Sequence, residues 1–158
     1  VFFLSQLVCR EMLKQKPGGG SIVNITSVHT LAVLPGSGPY DAAKWGVVGM
    51  GKSMAVELAL KNIRVNSISP GLLNTQIWED ILASAPNPKA CMDYWKANIP
   101  VGRLIEPSEI GELVAFVLSE RSSCITGSNI LADGGMTSQL VSKEPYESKV
   151  LGGEASKR

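Results

Sequence analysis

From Val1 to about Lys16, apolar residues recur at spacings of three and four, so Phe3, Leu4, Leu7, Val8, Cys9 and Met12 predict an amphipathic helix. Pro17 and the glycines Gly18, Gly19 and Gly20 stop it. The pattern then changes. Ser21-Ile-Val-Asn-Ile-Thr26 is short, β-branched and bounded by turn residues, which predicts a buried parallel strand. A loop from Val28 to Gly38 leads to a second helix, predicted from Pro39 to about Leu60 and ended by Lys61-Asn62. Arg64 to Ser69 reads as the next strand, closed by Pro70-Gly71. Between Asn74 and Ala97 lie two short helical segments broken by Ala85-Pro-Asn-Pro88, whose Trp78, Tyr94 and Trp95 are expected to pack a mobile lid. Pro107 to Leu118 predicts a further helix, with Glu106, Glu109 and Glu112 suited to its positive end, and Asn129 to Ala132 is the last strand.

Helices alternating with strands specify an α/β fold, a doubly wound parallel sheet with helices on its faces. Three strands are fewer than the six of a complete dinucleotide-binding sheet. Gly46, Gly49 and Gly51 fall inside the second helix, where the expectation is close packing against another helix. With no internal repeat and no linker, residues 1–140 are expected to form part of a single domain. From Val141 to Arg158 the chain is polar and aperiodic, and a mobile tail is expected.

Composition narrows the function. The chain has 158 residues, 44% of them hydrophobic, enough for a core, and its net charge of +1 gives no reason to expect nucleic acid or an anionic membrane as partner. No apolar run approaches the ~20 residues of a membrane span. The start Val1-Phe-Phe-Leu is interrupted by Ser5 and Gln6, with no basic segment before it, which argues against a signal peptide. Three cysteines without Cys-x-x-Cys spacing suggest neither a disulfide frame nor a zinc site, and the single histidine, His29, disfavours any metal centre. A reducing, cytoplasmic setting is expected.

The chemistry concentrates in Pro39-Tyr-Asp-Ala-Ala-Lys44. Tyr40 and Lys44 are one helical turn apart, so the ammonium can stand beside the phenol and favour its ionised form, making Tyr40 a general acid/base candidate near neutrality. Ser27, at the end of the first strand, has a hydroxyl placed to hold a substrate oxygen. Together these three fit carbonyl/alcohol redox chemistry. Pro70-Gly71 stands at the C-terminal end of a predicted parallel strand, where open α/β sheets bind ligands; it equally satisfies a simple turn.

Asn24-Ile-Thr-Ser27, Tyr40-x-x-x-Lys44, Ile63-Arg-Val-Asn66, Ser69-Pro-Gly71 with Thr75, and Ile125-Thr-Gly127 followed by Asp133-Gly-Gly135 together resemble the short-chain dehydrogenase/reductase family, over roughly Val1 to Met136. The resemblance implies a nicotinamide cofactor, NAD or NADP, and a small alcohol or ketone as substrate. It makes Tyr40 the general acid/base, Lys44 a ligand of the cofactor ribose, and Ser27 the residue that positions the carbonyl. It also places Pro70, Gly71, the backbone of Leu73 and the hydroxyl of Thr75 against the nicotinamide, while Asn66 and Asp133 are read as structural. His29 is left open between a polar loop residue satisfied by backbone and a substrate-facing donor, the latter because Ser-Val-His is similar to sugar and polyol dehydrogenases of that family.

The family's Thr-Gly-x-x-x-Gly-x-Gly turn, where a helix N-terminus holds pyrophosphate, is absent from the sequence, and Gly18-Gly-Gly20 precedes a strand instead of following one. The resemblance thus implies the C-terminal portion of a member, beginning inside a helix. It also implies homodimers or homotetramers, through Val1–Lys16 and Pro39–Leu60. A rival expectation is a non-catalytic chain that keeps only those association surfaces.

Overall fold

In the structure, a computed structural model, residues 1–140 are described, and the expected polar tail lies outside the described residues. Its elements are α1 (Phe2–Lys14), β1 (Gly20–Ile25), α2 (Gly38–Leu58), β2 (Ile63–Pro70), α3 (Gln76–Ser84), α4 (Pro88–Ala97), α5 (Pro107–Leu118) and β3 (Asn129–Ala132). All three strands run parallel in the order β1-β2-β3, with Gly20 opposite Ile63 and Ser67 opposite Asn129.

Every predicted element is present, and the differences lie at the ends. α2 starts one residue before Pro39, which puts the proline inside the first turn, where no intrahelical N–H is required. It leaves through a short 3₁₀ turn that stops at Asn62, whose left-handed backbone (φ 56°) suits asparagine. Gly19 and Gly20 have positive φ, and a Cβ on Gly19 would stand 3.0 Å from the Asn62 carbonyl oxygen. The glycines therefore serve the turn between α1 and β1.

Contacts divide the chain into two compact units, the first formed by Val1–Pro70 with Ser108–Ala132. It contains the sheet. β2 is buried along nearly its whole length, as expected of a central parallel strand. Ala55, Ile63 and Val65 form a core with Met12, Ile22, Met54 and Leu58 packed against it. Arg64 projects from β2 to the C-terminal end of α5, where its guanidinium donates to the carbonyls of Val117 (2.9 Å), Leu118 (3.3 Å) and Ser119 (2.9 Å). These are the carbonyls that a helix end leaves without partners. Asn66 Nδ2 donates to the Ile125 carbonyl at 2.8 Å, and its Oδ1 accepts from the Ser128 N–H at 3.1 Å, a structural role as anticipated.

One expectation is corrected. Gly51 packs against the sheet, not a helix: a Cβ there would lie 3.4 Å from Ser67 Oγ and 3.5 Å from Asn24 Nδ2, while Gly46 and Gly49 have nothing within 4 Å.

The second unit comprises residues 71–107 and, of the described residues after β3, 133–140. Trp78, Ile99 and Leu104 are its core, joined by Leu72, Met92 and Trp95. The rings of Trp78 and Trp95 meet edge to face with centroids 5.9 Å apart. These two tryptophans hold α3 and α4 together, and Tyr94 stacks on Trp95 from the exposed side.

Candidate functional site

The chain after β1 turns at once. Ser27 keeps an extended backbone and caps a 3₁₀ turn, Val28–Thr30, by accepting the His29 N–H on its Oγ at 3.2 Å. This local bond is the usual alternative that serine offers a backbone leaving a strand. It uses Ser27 Oγ as an acceptor and leaves the hydroxyl proton for another group.

A ring of buried and half-buried side chains holds that turn. Ser69 Oγ donates to Asn129 Oδ1 (2.7 Å), Asn129 Nδ2 donates to Thr30 Oγ1 (3.0 Å), and Thr30 Oγ1 lies 2.8 Å from Ser69 Oγ and 2.8 Å from the Ser27 carbonyl oxygen. Thr26 Oγ1, from the residue just after β1, lies 2.7 Å from Ser69 Oγ. The chain just after β1, the C-terminal end of β2 and the first residue of β3 are thereby tied to the backbone of Ser27.

Tyr40 and Lys44 lie in the first two turns of α2, on one face, as their spacing requires. Lys44 Nζ stands 5.5 Å from the centroid of the Tyr40 ring and donates to the Ile25 carbonyl at 3.4 Å. Tyr40 is 47% exposed, open to a ligand. The His29 ring meets the Tyr40 ring edge to face, centroids 5.1 Å apart. Ser27, His29, Tyr40 and Lys44 are thus gathered within the first unit.

His29 is satisfied by a side chain, not by backbone. Its Nδ1 lies 2.5 Å from Asp41 Oδ1, and Asp41 Oδ2 accepts from Ser37 Oγ at 2.6 Å. The hydrogen bond from Ser37 holds the Asp41 carboxyl below its ordinary range; desolvation opposes this, and the contact with His29 adds to the lowering.

Pro70 ends β2 in the first unit, while Gly71, Leu73 and Thr75 belong to the second. A Cβ on Gly71 would stand 2.8 Å from the Asp133 Cα, so packing against Asp133 accounts for this glycine. Leu73 forms an isolated parallel bridge with Ile105, made by the Asn74 N–H to the Ile105 carbonyl (2.8 Å) and the Ile105 N–H to the Leu72 carbonyl (2.9 Å). In that pattern the N–H and carbonyl of Leu73 itself point away from the bridge. Thr75 stands at the N-cap of α3, yet its hydroxyl makes no capping bond.

Asp133 accepts from the N–H groups of Gly135 (2.9 Å) and Thr137 (2.8 Å) and from Thr137 Oγ1 (2.6 Å). Burial alone would raise its carboxyl, but these bonds hold it below the ordinary range. Among the described residues no group of three or more His, Cys, Asp or Glu is arranged to hold a metal ion.

Asp41, Thr30, Ser69 and Asn129 were not singled out from the sequence. A signal did exist, in polar residues at or next to the ends of all three predicted strands and in an acid immediately after the candidate tyrosine.

The sequence profile of a family described as Enoyl-(Acyl carrier protein) reductase matches residues 1–137. The chain belongs to the short-chain dehydrogenase/reductase family. It is 40% identical over 136 residues to 3-oxoacyl-(acyl-carrier-protein) reductase FabG of Thermotoga maritima, an alignment covering 86% of this chain and 52% of that protein. To dehydrogenase/reductase SDR family member 4 of Sus scrofa it is 37% identical over 141 residues, 87% of this chain and 47% of the relative. Among solved structures, 4-hydroxyisoleucine dehydrogenase complexed with NADH superposes with a TM-score of 0.79 at 36% identity, over 87% of this chain and 55% of that one. The chain spans about half the length of the family members it matches, and their Rossmann-type sheet is the fold class expected from its alternating elements.

Proposed function

We propose that this chain carries the proton-transfer site of an NAD(P)-dependent oxidoreductase that interconverts a secondary alcohol and a ketone. One observation carries the reading: Ser27, with its hydroxyl proton uncommitted, is gathered with Tyr40 and Lys44 at the C-terminal end of a parallel sheet. In the reducing direction Ser27 donates a hydrogen bond to the carbonyl oxygen and Tyr40 passes its phenolic proton to that oxygen. In the oxidising direction the same phenol oxygen takes the proton back. Lys44 places its positive charge beside the phenol throughout.

Each unit, taken by itself, offers groups that suit a nicotinamide nucleotide. Lys44 Nζ is a free donor for a ribose hydroxyl beyond its long bond to Ile25; the outward N–H and carbonyl of Leu73 and the unused hydroxyl of Thr75 match the donors and acceptors of a carboxamide. When bound, the cofactor supplies or accepts the hydride. The NADH complex of the structural relative 4-hydroxyisoleucine dehydrogenase supports this choice. Residues 1–140 then form the C-terminal portion of one Rossmann-like domain.

Association through α1 and α2, as dimer or tetramer, is supported by apolar side chains exposed on them, Phe3 at 78% and Val56 at 82%. The same faces favour the rival, a chain that only associates. Three free cysteines fit a reducing, cytoplasmic setting, and no helix among the described residues is long and apolar enough to cross a membrane.

Two measurements test the reading. The encoding DNA upstream of Val1 should continue in frame into a Thr-Gly-x-x-x-Gly-x-Gly turn; a stop codon there favours the rival. In the product of that frame, Tyr40→Phe should lower kcat by about 10²-fold or more with cofactor affinity nearly unchanged, the scale of lost acid/base catalysis. A Phe variant that keeps most of its turnover removes Tyr40 from the mechanism.

A further inference from the structure

His29 touches both members of the proposed catalytic pair. Its N–H donates to Ser27 Oγ, and its ring stands edge to face with Tyr40. The ring is also oriented independently of either, by the 2.5 Å contact of Nδ1 with Asp41 Oδ1, in which the two side chains are only 18% and 14% exposed. Asp41 in turn is fixed through its second oxygen by Ser37. A carboxylate only accepts, so the proton of the His29–Asp41 contact resides on Nδ1. In a neutral imidazole that leaves Nε2 with a lone pair.

We propose that Asp41 is a positioning residue that holds His29 as the Nδ1–H tautomer, so that Nε2 accepts a hydrogen bond from a substrate hydroxyl on the carbon next to the reacting one. This rests on the oxidoreductase reading and names its substrate class: α-hydroxy ketones in reduction, vicinal diols in oxidation. The reacting oxygen is held by Ser27 and Tyr40. His29 donates its backbone N–H to Ser27 and packs its ring edge to face on Tyr40, so the substrate group within reach of that ring lies beside the oxygen and not at the far end of the molecule. The tautomer decides the chemistry of that group: with Nε2 unprotonated, the site favours a donor, and a ketone lacking the hydroxyl leaves a partly buried acceptor unpaired.

His29 is the only histidine of the 158 residues, so its ring nitrogens give one unambiguous pair of ¹⁵N resonances. At pH about 8.5, above the ordinary imidazole range, the chain should show the Nδ1–H tautomer, and Asp41→Asn should return it towards the Nε2–H form that free imidazole side chains prefer. The kinetic counterpart uses the enzyme from the complete reading frame, with 3-hydroxybutan-2-one and butan-2-one as probes. The ratio of their kcat/KM values should fall about tenfold in Asp41→Asn and in His29→Phe, which keeps the stacked ring but removes both nitrogens. Ser37→Ala, which spares the Nδ1 contact, should keep the tautomer and a ratio within about twofold of the parent.

An Nε2–H tautomer in the folded parent overturns the inference, as does an unchanged ratio in both His29→Phe and Asp41→Asn. Ser37→Ala matching the loss in Asp41→Asn also overturns it, since that would mean loop support alone. An unsubstituted enzyme that turns over neither probe overturns the oxidoreductase reading itself, and this inference with it. Turnover of both probes with an unchanged ratio removes only the inference.

Discussion

Lys44 Nζ stands 5.5 Å from the centre of the Tyr40 ring while reaching back 3.4 Å to the carbonyl oxygen of Ile25, the last residue of β1. The lysine thereby connects the strand end that precedes Ser27 with the helix that carries Tyr40. Under the proposed function its charge acts on proton transfer and its remaining donors on a ribose.

The two roles separate kinetically. In the enzyme from the complete reading frame, Lys44→Met is expected to raise KM for the nicotinamide nucleotide and, with cofactor saturating, still to lower kcat by about 10²-fold. Steady-state kinetics at varied cofactor concentration makes the distinction. A defect confined to KM would leave Lys44 as a ribose ligand and nothing more.

Asp133 links the second unit to pH. Its carboxyl is held below the ordinary value by Thr137 and Gly135, so its contribution to stability is fully present above the unfolded value of about 3.9 and is lost as pH falls through the lower folded value. Thr137→Val deletes the 2.6 Å hydroxyl donor, which lets the folded carboxyl rise towards the ordinary range. The variant should lose about 1.5–3 kcal/mol at pH 7, the scale of a hydrogen bond to a charged group, and the deficit should narrow as pH falls through the lowered folded value. Urea denaturation from acid to neutral pH measures this. An equal deficit at both extremes would mean that lost packing, not the carboxylate, is responsible.

Glycines at two sites are predicted to respond in opposite directions. A methyl group on Gly71 meets Asp133 backbone at 2.8 Å and 3.2 Å, with no flexible side-chain end to give way, so Gly71→Ala should destabilise by about 1–3 kcal/mol. Gly46 lies within α2 with open space around its Cβ position, so Gly46→Ala should stabilise by about 0.5–1 kcal/mol through reduced backbone entropy of the unfolded chain. Paired denaturation midpoints decide it; a neutral Gly71→Ala would show that the chain near Asp133 relaxes freely.

Local chemistry was legible in the sequence, and long-range chemistry was not. α5 and β3 begin and end where their patterns indicated, because Pro107 opens the one and turn residues bracket the other. The placement of Tyr40 beside Lys44, and of Ser27 just after β1, was legible because a strand end and an i, i+4 helical spacing are enough to fix it. Thr30, Ser69 and Asn129 were not: Thr30 bonds to partners 39 and 99 residues away, which only the register of β2 against β3 brings beside it. Asp41 was passed over although it neighbours Tyr40, because its partner His29 sits in a loop with no periodicity to fix its direction. The close packing assigned to three α2 glycines held for one and against a different surface, since sequence spacing does not say which element a helix face meets.

The ring of Ser69, Asn129 and Thr30 yields the sharpest energetic expectation. Ser69 is fully buried, and its hydroxyl donates to Asn129 and lies within hydrogen-bond distance of the hydroxyls of Thr26 and Thr30. Ser69→Ala leaves Asn129 Oδ1 and a threonine hydroxyl without that partner in a largely buried site, so a loss of about 1–3 kcal/mol is expected. Asn129→Ala should cost a similar amount, because it strands Ser69 Oγ and Thr30 Oγ1 instead. Removing both residues eliminates the donor and the acceptor of the same bond, so the double variant should be more stable than the sum of the single losses implies, with a coupling of about 0.5–3 kcal/mol. Denaturation of the four proteins in the cycle gives this number directly. Strict additivity, within about 0.3 kcal/mol, would show that the two side chains act separately and that the Ser27 turn is held by backbone bonds alone.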